Sequence, residues 1–311
     1  MPKLRIYLDM LKVIVEKTGL PVPAPNDVIY RWSRSVSVST SGEAYLFTGG
    51  LYQLSPYIRA TVSLLERVES LGLLGVAHRF RTLAPVGLAR VLVRPPKTEI
   101  RRAESIVVGA YRILSSLGVA YKPKGDMYSG AILYENGLDE TFQNHISKVH
   151  KRLRDLGIKR IVTIDPHTTH IMRSVAPKYV DGYDIEVESY LELLDRKGVE
   201  LKPVVDEAVI HDPCYNARFE GIIEEPRSIA ARSGLRLAEP PRARRMTYCC
   251  GGPIEGLMPP LAKKIAATRA EELLGVSKRV VVMCPICMIN LEKPVGNAGG
   301  EVLDLLEVLK T

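Results

Sequence analysis

The sequence predicts an α/β fold of two pseudo-repeated α/β lobes with mostly parallel sheets, and three observations predict it. Short runs rich in β-branched residues alternate with helical periodicity almost throughout. The strand-like runs end in turns made by Gly, Pro or Cys. The two halves of the chain also repeat the same order of words.

The first strand is AYLFTGG (44–50), closed by a glycine turn, and helical spacing follows from Pro56 to about Leu74. A second helix spans TEIRRAESIVVGAYRILSSLG (98–118), before the short strand VAYKPKG. LDETFQNHISKVHKRLRDLG reads as a helix stopped by Gly157, leading into the strand KRIVTID. ESYLELLDRKG is read as a helix, after which the cycle restarts with the strand EAVIHDP, the helix EPRSIAARSG and the strand LRLAEPP. The helix PPLAKKIAATRAEELLG, the strand KRVVVMCP and a last helix EVLDLLEVL complete the chain.

The repeat is explicit. MYSGAILYENG, a helix and then GIKRIVTIDPHTTHIMRSVAP parallel YCCGGPIEGL, a helix and then VSKRVVVMCPICMINLEKPV. From Ser129 to Asp165 is 36 positions and from Cys250 to Cys284 is 34. The expected organisation is an N-terminal arm over 1–43, a lobe without cysteines over 44–198 and a lobe with five cysteines over 199–311. The arm, amphipathic at its start and followed by GLPVPAP, either offers an exposed apolar face for docking or folds back on its own lobe.

Composition excludes several classes. With 46% hydrophobic and 25% charged residues the 311-residue chain can bury one large core or two of ordinary size, so disorder is excluded. No run of eighteen apolar residues occurs, so no membrane span is expected. The opening twenty residues carry Asp9 and Glu16 and no small-residue cleavage site, and the chain is read as cytoplasmic. The net charge of +8 is spread among acidic residues, with few aromatics for base stacking, so nucleic acid is not an expected partner.

All five cysteines fall in the second copy: Cys214, the vicinal pair Cys249 and Cys250, and Cys284 with Cys287 as a C-x-x-C. Each sits where a strand should end, and in an open parallel sheet those ends converge on one crevice. A vicinal pair on a strand would face opposite ways, so the chain must turn sharply there, as Gly251 and Gly252 permit. Five of five at loop positions is not a core pattern, and an odd number does not suit a purely disulfide-bonded arrangement. Zinc takes four thiolates and leaves one of the vicinal pair surplus, whereas an iron–sulfur centre has more positions for sulfur. The reading therefore favours iron, with Zn as the alternative.

The spacing C-x(34)-C-C-G-x(32)-C-x-x-C, within HDPCYNAR, EEPR, YCCGG and CPICMINL, resembles the cysteine-rich CCG domain found in the B and D components of heterodisulfide reductases. That domain also occurs in iron–sulfur subunits of glycolate oxidase, glycerol-3-phosphate dehydrogenase and lactate-utilisation systems. The resemblance implies tandem domains, each intact motif holding one [4Fe-4S] cluster. In the heterodisulfide reductases that cluster is an unusual non-cubane one ligated by all five cysteines, here Cys214, Cys249, Cys250, Cys284 and Cys287.

The first copy departs from the motif. Gly50, Tyr128 with Ser129, and Asp165 with Thr168 stand where cysteines should, so this degenerate lobe is expected to keep its fold without a cluster. His145, His150, His167 and His170 of that lobe are read as structural, the histidine of DPHT lying at a non-ligand position.

Two functions follow. One is an iron–sulfur redox subunit, an oxidoreductase component resembling heterodisulfide reductase, that transfers electrons through the cluster and could reduce a disulfide. The other is a non-catalytic scaffold subunit of an oxidoreductase complex, stabilised by zinc or a cluster. Relatives carry a ferredoxin-like domain ahead of the first lobe and this sequence does not. A ferredoxin-like or flavoprotein redox subunit is therefore the expected partner, with a small anionic disulfide as candidate substrate. Arg242, Arg244 and Arg245 in PPRARRM are placed to attract either.

Overall fold

The computed structural model describes residues 2–72 and 86–310, so the expected helix end near Leu74 lies outside the described residues. Two four-stranded sheets, parallel throughout, carry the fold. The first contains β1 (Ala44–Phe47), β2 (Val119–Ala120), β3 (Arg160–Thr163) and β4 (Glu186–Ser189) in the order β2-β1-β3-β4. The second contains β6 (Glu207–Ile210), β7 (Arg236–Ala238), β8 (Arg279–Val282) and β9 (Glu301–Asp304) in the order β7-β6-β8-β9. The same order in both sheets is the architecture the internal repeat predicts. A short antiparallel pair, β5 (Lys202–Pro203) with β10 (Leu309–Lys310), ties the connection between the lobes to the chain's end.

Register defines the equivalence residue by residue. Tyr45 pairs Ile161 in the first sheet and Val209 pairs Val280 in the second. Continuing from these pairs places Gly50 at the position of Cys214 and Asp165 at that of Cys284. The last three residues of β3, β6 and β8 are all buried, so these strands read as apolar runs, as sheets covered on both faces require.

The helices follow their signals. α1 (Pro2–Thr18) opens the chain, and α2 (Leu51–Ser70), α3 (Val86–Leu92) and α4 (Lys97–Ser116) follow. α5 (Ala131–Glu135) and α6 (Asp139–Asp155) come next. α6 ends where Gly157 takes φ +68° and Ile158 N–H returns to the Leu153 carbonyl at 2.9 Å, the closure that a left-handed glycine allows. α7 (Pro166–His170), α8 (Tyr190–Arg196), α9 (Glu224–Arg232), α10 (Pro259–Leu274), α11 (Pro285–Asn297) and α12 (Leu305–Val308) complete the set.

Three expectations are corrected. ESYLELLDRKG is not helical from its start: Glu186–Ser189 is β4, and only Tyr190–Arg196 is helix. EVLDLLEVL likewise begins as β9 and becomes helical only over Leu305–Val308. The reason is shared: each sheet needs a fourth strand, and Ser189 and Asp304 stop it by capping the next helix, each in a box with the glutamate three residues on. The third correction concerns the arm. It does not hold out an apolar face, because Leu11, Val15, Leu20, Val22, Val28 and Trp32 are buried. Trp32 packs on Tyr121 and Tyr111 with ring centroids 4.6 and 5.5 Å away, so the arm is part of the first lobe's core.

The lobes are joined by buried polar contacts as well as packing. Tyr52 donates its hydroxyl to Asp304 at 2.6 Å, both side chains fully buried. Arg102 donates to Glu307, Glu292 and the Val302 carbonyl, all from the other lobe, at 2.6 to 2.8 Å. A planar guanidinium that satisfies this many acceptors fixes one relative placement of the two halves.

Candidate metal centre between the lobes

Each cysteine is delivered by a distinct local device. Cys214 follows β6 through His211-Asp212-Pro213 and begins the turn Tyr215–Glu220. Cys249 and Cys250 lie in extended loop chain, and the sharp turn expected after them is made by Gly251 at φ +86°. A Cβ there would sit 2.6 Å from the Ala262 carbonyl oxygen, so the backbone approach itself requires glycine. The Gly251 N–H donates to Cys249 Sγ at 3.2 Å. Cys284 caps α11, accepting from the Cys287 N–H at 3.5 Å, and the i, i+3 spacing puts both sulfurs at one end of the helix.

These devices bring the five side chains into one series of contacts: Cys214 with Cys249, Cys249 with Cys250, Cys250 with Cys287, and Cys287 with Cys284. Cys250, Cys284 and Cys287 are buried, while Cys214 and Cys249 are partly open to solvent. The series alternates in acidity. Cys249 is held below the ordinary thiol range chiefly by hydrogen bonds from Cys214 and Cys250. Cys284 is lowered despite its burial, by Cys287 and His167. Cys214, Cys250 and Cys287 are raised, each first by its bond to the neighbouring sulfur.

The donor set can be tested against the two candidate metals. A tetrahedral zinc site at Zn–S distances of about 2.3 Å needs four ligand atoms within roughly 4 Å of one another. Among the described residues the one group of three or more whose ligand atoms all lie within 4.8 Å of one another is His211, Cys250 and Cys287. His211 is a poor ligand even so. Its Nδ1 accepts from Arg269 at 3.1 Å, which leaves the proton on Nε2, and burial followed by the Arg269 charge lowers its pKa to about 3. That Nε2 is buried without a partner. Five soft sulfurs in an extended series, beside an unsatisfied N–H donor, fit a polynuclear sulfide-bearing group better than a single ion.

The first lobe repeats the scaffold and closes the space. Asp165 caps α7 by accepting from the Thr168 N–H at 2.9 Å, as Cys284 does from Cys287. Gly130, at φ +90°, makes the turn that Gly251 makes in the other lobe. Between them Thr168 donates to Ser129 at 3.2 Å, and Tyr128 accepts from the Ile132 N–H at 2.6 Å. A Cβ on Gly49 would lie 2.0 Å from Thr168 Oγ1, so the backbone and the threonine are already in contact.

Of the histidines, His145 binds the Tyr128 carbonyl at 2.7 Å and His150 binds Asp184 at 3.2 Å, which are structural roles. His170 bonds Glu220 at 2.6 Å across the lobes. His167 Nδ1 lies 2.5 Å from Glu135, and its ring packs on Tyr215, the residue after Cys214, at 4.6 Å. Burial opposes its charge, yet Glu135 and then Cys284 carry its pKa well above the ordinary value. His167, Glu135 and His211 are the residues that sequence reasoning missed at this centre. The HDPC and DPH words contained two of them, but not their partners.

The arginines behave unequally. Arg242 pairs Glu272 and stacks on Tyr248 at 3.9 Å, and Arg244 pairs Glu224 while its N–H donates to Asp212. Both are committed to the loop that carries the vicinal pair. Arg245 has no ion pair among the described residues; its carbonyl accepts from Arg218 at 3.1 Å, and exposed Met246 and Phe219 follow Arg245 and Arg218 in sequence. α1 packs near the turn that follows the vicinal pair, with Tyr7 against Gly256 and a small apolar cavity lined by Leu11, Ile132, His167, Gly252 and Ile286.

Comparison with known proteins defines the class first. A family model described as a cysteine-rich domain, CCG, matches residues 208–292, the span that contains all five cysteines. The resemblance read from the sequence therefore holds over the second lobe. Among curated proteins, the chain is 28% identical over 201 residues to "Probable iron-sulfur-binding oxidoreductase FadF" of Bacillus subtilis, covering 61% of this chain and 28% of that protein. It is 26% identical over 222 residues to the EtfAB:quinone oxidoreductase of Syntrophomonas wolfei, covering 64% of this chain and 30% of the relative. With a dihydromethanophenazine:CoB–CoM heterodisulfide reductase component of Methanosarcina acetivorans it shares 29% identity over 202 residues, 58% of this chain and 48% of the relative. The chain thus spans less than a third of the first two relatives and about half of the third. Among the described residues no helix is long and apolar enough to cross a membrane.

Proposed function

We propose that this chain is an iron–sulfur redox subunit in which Cys214, Cys249, Cys250, Cys284 and Cys287 together hold one [4Fe-4S] cluster. The observation that carries the reading is the unbroken series of contacts that joins the five thiols at the strand ends of one lobe. The group, when bound, supplies one-electron chemistry at a potential set by its ligands and surroundings. The protein's part is to gather the sulfurs, exclude water on the side of Cys250, Cys284 and Cys287, and leave an edge open at Cys214 and Cys249. Named relatives that are iron–sulfur-binding oxidoreductases and heterodisulfide reductase components support an electron-transfer role, with disulfide reduction at the open edge as the finer activity. Anaerobic purification followed by iron, sulfide and zinc analysis tests the reading. Four irons and four sulfides per chain are expected, and one zinc with no sulfide would replace it by the scaffold role.

The open edge is also where we place the delivery of electrons by a partner. Phe219 and Met246 are exposed apolar residues on the loops that follow Cys214 and precede Cys249, which are tied together by Arg218 donating to the Arg245 carbonyl, and Arg245 has no ion pair among the described residues. An acidic ferredoxin-like or flavoprotein partner suits that surface, because rim charge acts mainly on the rate of encounter. Arg245→Glu is expected to slow reduction by an acidic ferredoxin about tenfold at low salt, with the difference shrinking at high salt. Reduction by a small uncharged reductant should be unchanged. Equal slowing with both donors would place the effect on the centre rather than on docking.

A further inference from the structure

We infer that Glu220, gripped by His170 and Ser174 of the lobe without cysteines, is the positioning residue that keeps the Cys214 sulfur on the centre. This rests on the cluster reading above and concerns how one of its five sulfurs is held.

The segment that carries Cys214 does not hold its own shape. In the first lobe the chain passes from Gly50, the counterpart of Cys214, straight into α2, a helix of 20 residues. In the second lobe the helical turn after Cys214 runs only over Tyr215–Glu220, 6 residues, and stops at Gly221 with φ +73°. So short a turn is unstable by itself, because nucleation fixes several dihedrals for few bonds. Contacts from outside must set where Cys214 points.

They come from two sides. Within its own lobe Arg218 donates to the Arg245 and Thr247 carbonyls and ties the turn to the loop of the vicinal pair. The far end is fixed across the lobe boundary. Glu220, whose side chain is 3% exposed, takes the His170 Nδ1–H at 2.6 Å and the Ser174 hydroxyl at 2.8 Å on one oxygen, and its other oxygen faces Arg173 at 3.5 Å. A carboxylate removed from water is stable there only while these donors remain. The donors are themselves anchored, since Arg173 reaches back to the Val187 carbonyl of β4 at 2.9 Å and pairs with Glu192 of α8. Rings continue the grip. Tyr215, next to Cys214, and Phe219, next to Glu220, pack on the His170 ring at 5.0 and 5.1 Å.

The turn is thus held at both ends by a lobe that offers no cysteine of its own. The clamp is specific to this copy, because by the same strand register the counterpart of Glu220 is Pro56 inside α2. Cys214 is partly open to solvent, so water is at hand to take the place of a sulfur that swings away. Holding the turn is what keeps that sulfur bound.

The test uses the anaerobically purified holoprotein, alkylated with iodoacetamide and read residue by residue by mass spectrometry, with iron and sulfide measured on the same samples. A bound Cys214 is protected, and buried Cys284 is the internal control. Glu220→Ala is expected to keep its iron and to label at Cys214 about tenfold faster, the effect of losing one hydrogen bond to a charged group, with Cys284 still protected. Glu220→Gln keeps an acceptor oxygen in the same place and should restore most of the protection. Ser174→Ala, in the other lobe, removes one of the two close donors and should speed labelling of Cys214 about threefold. Wild-type labelling of Cys214 in both Glu220→Ala and Ser174→Ala would overturn the inference and leave the cluster reading intact. Equal labelling of Cys214 and Cys284 would overturn it too, since the whole lobe would then be opening. If Glu220→Ala does not fold, Ser174→Ala decides, and an unchanged rate there also overturns the inference. A wild-type protein without iron or sulfide would remove the cluster reading itself.

Discussion

Cys249→Ser and Cys284→Ala are each expected to abolish or change the bound centre, with iron and sulfide falling by at least about tenfold in Cys284→Ala. The two positions test the same centre from opposite sides. Cys284 is buried at the start of α11 and accepts from the Cys287 N–H, so its removal breaks a cap as well as taking away a sulfur. Cys249 is partly exposed and accepts from Cys214, Cys250 and the Gly251 N–H, so its replacement by serine keeps a hydrogen-bond acceptor in an open place. Loss of the centre in Cys249→Ser, with the fold intact by circular dichroism, can therefore be assigned to the ligand rather than to unfolding. The pair also separates iron from zinc. Four thiolates saturate a structural zinc, so at least one of the vicinal cysteines would be dispensable for zinc, whereas a centre bound by all five tolerates the loss of none. Wild-type iron and sulfide in both variants would refute the assignment.

Much of this arrangement was legible in the sequence because its signals are local. A strand ending in glycine or proline is one short word, and repeated in order these words gave two lobes with the same strand order. The closeness of five thiols followed from their all standing at strand ends. What stayed hidden was decided by distant partners. Glu186–Ser189 and Glu301–Asp304 are four-residue strands that run straight into helices, so their alternation is too short to compete with the helical pattern beyond. They are strands because a neighbour offers a free sheet edge. The apolar stripe of α1 reads equally well as a docking face or as core, and only the surface beneath it decides. His167 is one residue of a word whose other members are structural; its partners Cys284 and Glu135 lie in other segments of the chain, and no spacing rule connects them.

Gly49→Ala is expected to destabilise the protein by about 3 kcal/mol or more, among the largest effects of any single methyl addition to this chain. Two costs add. Gly49 holds φ at +61°, where an L side chain is strained. Its added Cβ would also fall 2.0 Å from Thr168 Oγ1, 2.6 Å from Cγ2 and 2.8 Å from Cβ. Thr168 has little room to retreat, because its hydroxyl donates to Ser129 and its N–H to Asp165. Thr168→Ala in the same chain removes the two closest atoms but neither the 2.8 Å contact nor the positive φ, so it should recover only part of the loss. Urea denaturation of the two single variants and the double variant measures this directly, the coupling between the sites being the part relieved. Gly49→Ala with wild-type stability would mean that the emptied site is open. The expected loss means that it is closed: the contact that refuses one methyl group is where the first lobe has given up the space that the second lobe keeps for its centre.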